Sequence, residues 1–186
     1  VDALLDAGYE VVGTGRNRRF AGHYRKLGVE YIPLDLNDPS GTGALPTDFD
    51  FVAHLAGRLP ANSAFDLSTE DDAAEYIRTN ALGTALLLEW ARKNGVRRIV
   101  STTSYADVQN SWSASEPVRE DWPRDFRLDG DHAAYVISKN ASADLLFYYN
   151  EQYGMRNCVF RLPPVYGCGP HGSLRVNAVS YTHLRA

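Results

Sequence analysis

The sequence has little of what would tie it to a disulfide, a structural metal or a membrane. It holds two cysteines, Cys158 and Cys168, in 186 residues. Two thiols make no disulfide framework, and neither stands at metal-ligand spacing from a histidine. Reduced thiols of this kind are expected in a cytoplasmic protein. Long apolar runs are also missing. The longest, "ALLLEWA", is broken by Glu89 and falls far short of the ~20 residues that span a bilayer. No signal peptide is visible. The chain opens on Val1, not Met, in what reads as the middle of a helix, so its start is not taken as the natural one. There is no excess of basic charge either. A formal net charge of −4 argues against a phosphate backbone as the main partner. The one basic run, Arg16 to Lys26, reads as a solvated helix face. Lysine is scarce: Lys26, Lys93 and Lys139 are the three in the chain, against 11 tyrosines.

What is present is an alternation of strand and helix. Strand patterns cover 9–15, 29–35, 49–57, 97–104 and 156–167. Helical patterns end at Gly8, run from 70 to 94 before Gly95, and run from 132 to 153 before Gly154, glycine being the usual residue just past a helix. Strands joined by helices predict parallel pairing, right-handed crossovers and a doubly wound, Rossmann-like α/β sheet. The near-continuous apolar run at 49–57 predicts a strand buried on both faces. Ligands of such sheets bind beyond the carboxyl ends of the strands. Asp35, His54, Thr102, Thr103 and Ser104 fall there. One part is absent. A dinucleotide-binding sheet opens with a strand and a glycine-rich turn whose amides hold the pyrophosphate, and no G-x-x-G-x-x-G occurs. The expectation is a sheet without its first strand and that turn.

The most pointed local signal is Tyr135-Val136-Ile137-Ser138-Lys139. On a helix, residues i and i+4 share a face. An isolated tyrosine, with a pKa near ~10, is a poor base at neutral pH, and a neighbouring ammonium favours the phenolate. The pair can also be two edge residues of an ordinary packed helix. Chance alone supplies about 0.2 such pairs at this composition, so context has to decide.

That context is a series of motifs in order: "DLND" (35–38), "HLAG" (54–57), "NALGTALLLEWARKNGVRRIVSTTS" (80–104), "EPVREDWP" (116–123), "YVISK" (135–139) and "RLPPVYGCGP" (161–170). Together they resemble the extended short-chain dehydrogenases/reductases, in the NAD-dependent epimerase/dehydratase branch. The resemblance implies that Tyr135 exchanges a proton with a substrate hydroxyl while a nicotinamide takes the hydride. It implies that Lys139 reaches the cofactor ribose, that Thr103 orients the substrate oxygen with Ser104 next in line, and that Asn80 holds the site together. Cofactor contacts would come from Asp35 and Leu36, from Leu55, Ala56 and Gly57, from Tyr135 and Lys139, and from Pro163 with Pro164. His54 would be structural, Arg161 an ion-pair partner, Cys158 a core residue, and Tyr148, Tyr149 and Tyr153 a packing face.

The chain departs from the family's pattern in three places. The glycine-rich turn is absent. The strand ending Gly13-Thr14-Gly15-Arg16 lacks the acid that binds an adenosine 2′-hydroxyl. Arg16 can instead pair with a 2′-phosphate, which favours NADP over NAD. Most of the C-terminal substrate lobe is not seen, so residues 1–170 read as a partial NAD(P)-binding domain and 171–186 as a tail of other origin. The resemblance implies oxidation of a hydroxyl, of a nucleotide sugar, followed by epimerisation, elimination or release. It implies a small-molecule partner with no nucleic acid, membrane or metal, and allows a homodimer. An NADP-dependent reductase of a non-sugar carbonyl and a non-catalytic cofactor-binding protein are the alternatives.

Overall fold

A computed structural model describes residues 1–60, 73–113, 115–129 and 132–163. In chain order the elements are α1 (Asp2–Asp6), β1 (Val12–Gly15), α2 (Ala21–Lys26), β2 (Glu30–Pro33), β3 (Val52–His54), α3 (Ala73–Tyr76), α4 (Gly83–Lys93), β4 (Ile99–Ser104), α5 (Ala133–Tyr153) and β5 (Cys158–Leu162). A π-helical segment, Ile77–Leu82, joins α3 to α4. The periodicity expected across 70–94 is thus a single helical stretch over 73–93 with its hydrogen-bond register shifted in the middle. A 3₁₀ turn, Tyr105–Val108, follows β4 directly.

Every strand pair is parallel, as helix-linked strands require, but the strands form two sheets: β1-β2 and β3-β4-β5. Among the described residues β1 and β3 each keep one edge without a strand partner. The break falls where the doubly wound order places its first strand. Just ahead of the two free-edged strands, Tyr9 and Phe51 meet edge to face with ring centroids 5.5 Å apart.

The core lies between α4, α5 and the three-stranded sheet. Leu88, Ile99 and Leu146 are at its centre, all but sealed from solvent, with Leu36, Trp90, Val96, Tyr149 and Met155 around them. Ile99 and Ser101 of β4 face these helices. Side chains alternate along a strand, so the Val100↔Cys158 and Thr102↔Phe160 pairs face the other way. There Ala53 and Cys158 are exposed and Phe160 is 53% exposed. The sequence expectations of a strand buried on both faces at 49–57 and of a core Cys158 are corrected here. Apolar content alone does not say which sheet face receives a helix.

Two glycines have clear reasons. Gly154 takes φ 64° after α5, a left-handed cap in which the amides of Gly154 and Met155 bond the carbonyls of Asn150 and Tyr149. Gly83 opens α4 against the turn after β2, where an added Cβ would come 2.8 Å from the Leu36 Cβ. Among the described residues no helix is long and apolar enough to cross a membrane. No three His, Cys, Asp or Glu side chains converge on a common point there either.

Candidate active site

The site is assembled on one face of α5. Tyr135, Ser138, Lys139 and Ser142 are all buried there. Serines inside a helix tend to bond back to the preceding turn. Ser138 Oγ donates to the Tyr135 carbonyl at 2.7 Å, and Ser142 Oγ lies 2.9 Å from the Ser138 carbonyl. Their small size lets the π-helical segment approach. That segment displaces the usual backbone bonds, a feature often found at functional sites. The Asn80 carbonyl is instead met by Thr84 Oγ1 at 2.5 Å and by Ser142 Oγ at 2.7 Å.

The Asn80 side chain is 98% enclosed and fully engaged: Oδ1 accepts the Arg58 amide at 2.7 Å, and Nδ2 donates to the Arg58 carbonyl at 3.1 Å and to Ser138 Oγ at 2.9 Å. The backbone partners fix which end is oxygen. Asn80 therefore ties the segment after β3 to α5, and no polar atom of its amide is left over for chemistry.

Lys139 is buried, and no carboxylate or other acceptor among the described residues bonds its ammonium. Burial pushes its pKa below the ordinary lysine value. A Cβ placed on Gly57 would lie 3.0 Å from Asn80 Oδ1 and 4.0 Å from Lys139 Nζ, so the ammonium points to the strand end. Burial, helped by the Lys139 charge, holds the His54 pKa down to about 4. His54 Nε2 is 3.0 Å from Thr84 Oγ1, whose own proton goes to Asn80. The neutral imidazole therefore carries its proton on Nε2, and its place is structural.

Burial pushes the Tyr135 phenol up, with a smaller lowering from the Ser104 side chain. Burial prevails, and the Lys139 charge is not among the influences on the phenol. The sequence reading of a lysine tuning the tyrosine is altered in this respect. Alternation along β4 sends Thr103 and Ser104 to opposite sides, with Thr103 on the side of Ile99 and Ser101 that faces the helices. Thr103 Oγ1 is buried without a partner. The Tyr76 ring sits edge-on to Tyr135 at 6.1 Å, with the Arg58 guanidinium 5.7 Å from the Tyr76 ring centre.

The remaining candidate residues sit at carboxyl ends of strands. Leu55, Ala56 and Gly57 are exposed after β3, and Pro163 is exposed after β5. Asp35 closes a turn, accepting the Asn37 amide at 3.0 Å, and Asn37 accepts Thr79 Oγ1 at 3.0 Å. Leu36 is buried against α4. Arg16 is exposed just past β1, where Tyr31 Oη lies 2.8 Å from the Gly15 carbonyl and 2.9 Å from the Asn17 carbonyl. Pro164 and residues 171–186 lie outside the described residues. A buried ammonium without an acceptor, an orphaned buried hydroxyl and a bare strand end suit the ribose and nicotinamide half of a dinucleotide. Sequence reasoning missed Ser138 and Ser142. Their spacing from Tyr135, i+3 and i+7, places them on its face and was legible.

Similarity to known proteins settles the family. The profile of the NAD dependent epimerase/dehydratase family matches residues 1–184. The chain belongs to this family. It is 30% identical to the UDP-glucose 4-epimerase of Mycolicibacterium smegmatis over 96% of this chain and 56% of that protein. It is 26% identical to UDP-glucuronic acid decarboxylase 6 of Arabidopsis thaliana, over 81% of this chain and 39% of the relative. Among solved structures, the UDP-glucose 4-epimerase of Thermus thermophilus in complex with NAD superposes with a TM-score of 0.76 at 25% identity, over 97% of this chain and 55% of that one. The chain thus spans about half the length of the relatives it matches.

Proposed function

We propose that the protein is an NAD-using oxidoreductase of nucleotide sugars that interconverts a hydroxyl and a ketone through proton exchange at Tyr135. The single observation that carries this reading is the pair of buried residues Tyr135 and Lys139 one turn apart on α5, the Lys139 ammonium having no acceptor among the described residues. An unpaired buried cation is costly and is rational where a ligand supplies its partner. Lys139 would hold ribose hydroxyls, Leu55, Ala56 and Gly57 would border the ring system with Pro163 opposite, and Asp35 and Leu36 would border the adenine. A nicotinamide dinucleotide bound there supplies the hydride acceptor. Tyr135 holds the substrate oxygen and takes or returns its proton. Thr103, whose Oγ1 is buried without a partner, would orient the substrate oxygen with Ser104 next in line, and Asn80 keeps the strand end against α5. The sugar-nucleotide assignment rests on relatives that are UDP-sugar enzymes by name.

A second reading, NADP in place of NAD, rests on Arg16, which is exposed beside a strand end that carries no acid. The test of the main reading is Tyr135→Phe in the full-length enzyme with UDP-hexose substrates. General acid–base catalysis supplies about 10²–10⁴-fold, so turnover should fall by at least that factor with dinucleotide affinity nearly intact. Near-normal turnover would sink the assignment.

A further inference from the structure

Strand β1 carries two glycines, and its own backbone calls for neither. Gly13 and Gly15 both lack a positive φ. The reason lies across the sheet. Gly13 pairs with Tyr31 of β2, and side chains alternate along each strand, so Gly13, Gly15 and Tyr31 share one face. Tyr24 of α2 lies on that face. A Cβ at Gly13 would come 2.4 Å from Tyr24 Cε1. A Cβ at Gly15 would come 2.9 Å from Tyr31 Oη, with Cζ at 3.8 Å and Cε2 at 3.9 Å. Carbon and oxygen rest at about 3.3–3.6 Å even in a weak C–H···O contact. The conflict at position 15 is therefore with one oxygen, while the ring behind it is at ordinary distance. That oxygen is held in place. It lies 2.8 Å from the Gly15 carbonyl and 2.9 Å from the Asn17 carbonyl, its one proton serving either. The Tyr24 ring packs on the Tyr31 ring, with centroids 5.0 Å apart.

Position 15 is where a strand end of this kind carries the acid that bonds an adenosine 2′-hydroxyl. We infer that Tyr31 is a specificity-determining residue for the cofactor: its phenolic oxygen fills the space that a side chain at position 15 would need, and so bars the acid that would select the 2′-hydroxyl of NAD against the 2′-phosphate of NADP. This rests on the cleft holding a nicotinamide dinucleotide, as the proposed function requires. With the acid barred, no carboxylate at position 15 repels a 2′-phosphate, and the next residue, Arg16, is exposed and offers a planar fork that suits one. Tyr31 thus decides whether a carboxylate competes with Arg16 at the end of β1.

Calorimetry of NAD and NADP binding to the full-length enzyme, together with thermal melts, tests this by removing one atom. Gly15→Asp supplies the acid, and Tyr31→Phe removes the oxygen in its way while keeping the ring. In the Tyr31→Phe background, Gly15→Asp should raise the ratio of NAD to NADP affinity by about tenfold or more, the worth of a hydrogen bond to a charged group. With Tyr31 intact, the same substitution should move that ratio by less than about threefold. Gly15→Ala brings the steric conflict without a charge. It should lower the melting temperature with Tyr31 intact and leave it unchanged in Tyr31→Phe. Equal ratio shifts for Gly15→Asp in the two backgrounds overturn the inference, as does a Gly15→Ala melting temperature indifferent to Tyr31→Phe. Should Gly15→Asp fail to fold with Tyr31 intact, the Gly15→Ala melts decide. Failure of the dinucleotide reading shows separately, as a wild-type enzyme that binds neither NAD nor NADP.

Discussion

Replacing Lys139 by methionine should destroy the proposed activity and yet stabilise the fold. Lys139 is 8% exposed and has no ion-pair partner among the described residues, so folding desolvates the ammonium without returning an ion pair there. Methionine has nearly the same length and packs the same space without the charge. Exchanging buried ionic groups for apolar ones of similar volume stabilises proteins by up to about 4 kcal/mol. Exposed Gly57 beside the ammonium lets water approach, which puts the gain here at about 2 kcal/mol. In a chain of this size that corresponds to a melting temperature higher by roughly 4–8 °C. The pH dependence has a definite sign. The folded-state pKa lies below the ordinary 10.5. At neutral pH both folded and unfolded wild type carry the proton, and the wild type bears the whole penalty. As pH rises through the folded value towards 10.5, the folded state sheds its proton first, wild-type stability rises and the gap to the variant closes. Urea unfolding at pH 7 and pH 10 measures both quantities. A Lys139→Met protein less stable than wild type at pH 7, or a gap that does not narrow by pH 10, would refute the reasoning.

Two further outcomes follow from the same charges. His54 stays neutral down to about pH 4 in the folded state. The unfolded chain takes up that proton first as pH falls from about 6.5, so stability should drop by up to about 3 kcal/mol by pH 4. Urea titrations across this range should show the slope in wild type and lose it in His54→Leu, and a flat wild-type profile would count against the assignment. In Lys139→Met the His54 resonance should titrate at higher pH, because one of its two depressing influences is gone. Arg16→Ala should weaken NADP binding with little effect on NAD, measured by calorimetry on the full-length enzyme. An unchanged ratio of the two affinities removes Arg16 from cofactor choice.

Alternation of strand and helix, the helix-capping glycines and the Tyr135–Lys139 spacing are local, and they were legible in the chain itself. The break between β1 and β3 was also anticipated, since the sequence shows no glycine-rich turn before its first strand. What local pattern could not carry was direction. Lys139 shares a helix face with Tyr135, but the nearness of Gly57 and the engaged amide of Asn80 decide where its ammonium points. Thr103 and Ser104 are adjacent hydroxyls, and only the strand's alternation decides which one faces the helices. The π-helical shift at Ile77–Leu82 leaves helical periodicity almost intact, so the freed Asn80 carbonyl left no mark on the pattern. Arg161 read as an ion-pair partner, but its partner, Asp107, is 54 residues away in sequence and no spacing rule joins them.

The scarcity of lysine has a practical consequence. Lys26 is exposed and the Lys93 side chain is 64% exposed, whereas Lys139 is enclosed. An acylating reagent should therefore modify two side-chain amines at once and the third only when the cleft around Gly57 admits it. The pKa of Lys139 lies below the ordinary lysine value, which favours the free amine that an acylating reagent needs. Mass spectrometry of the third acyl group then counts openings of the cleft, and a dinucleotide seated on Lys139 should slow that clock.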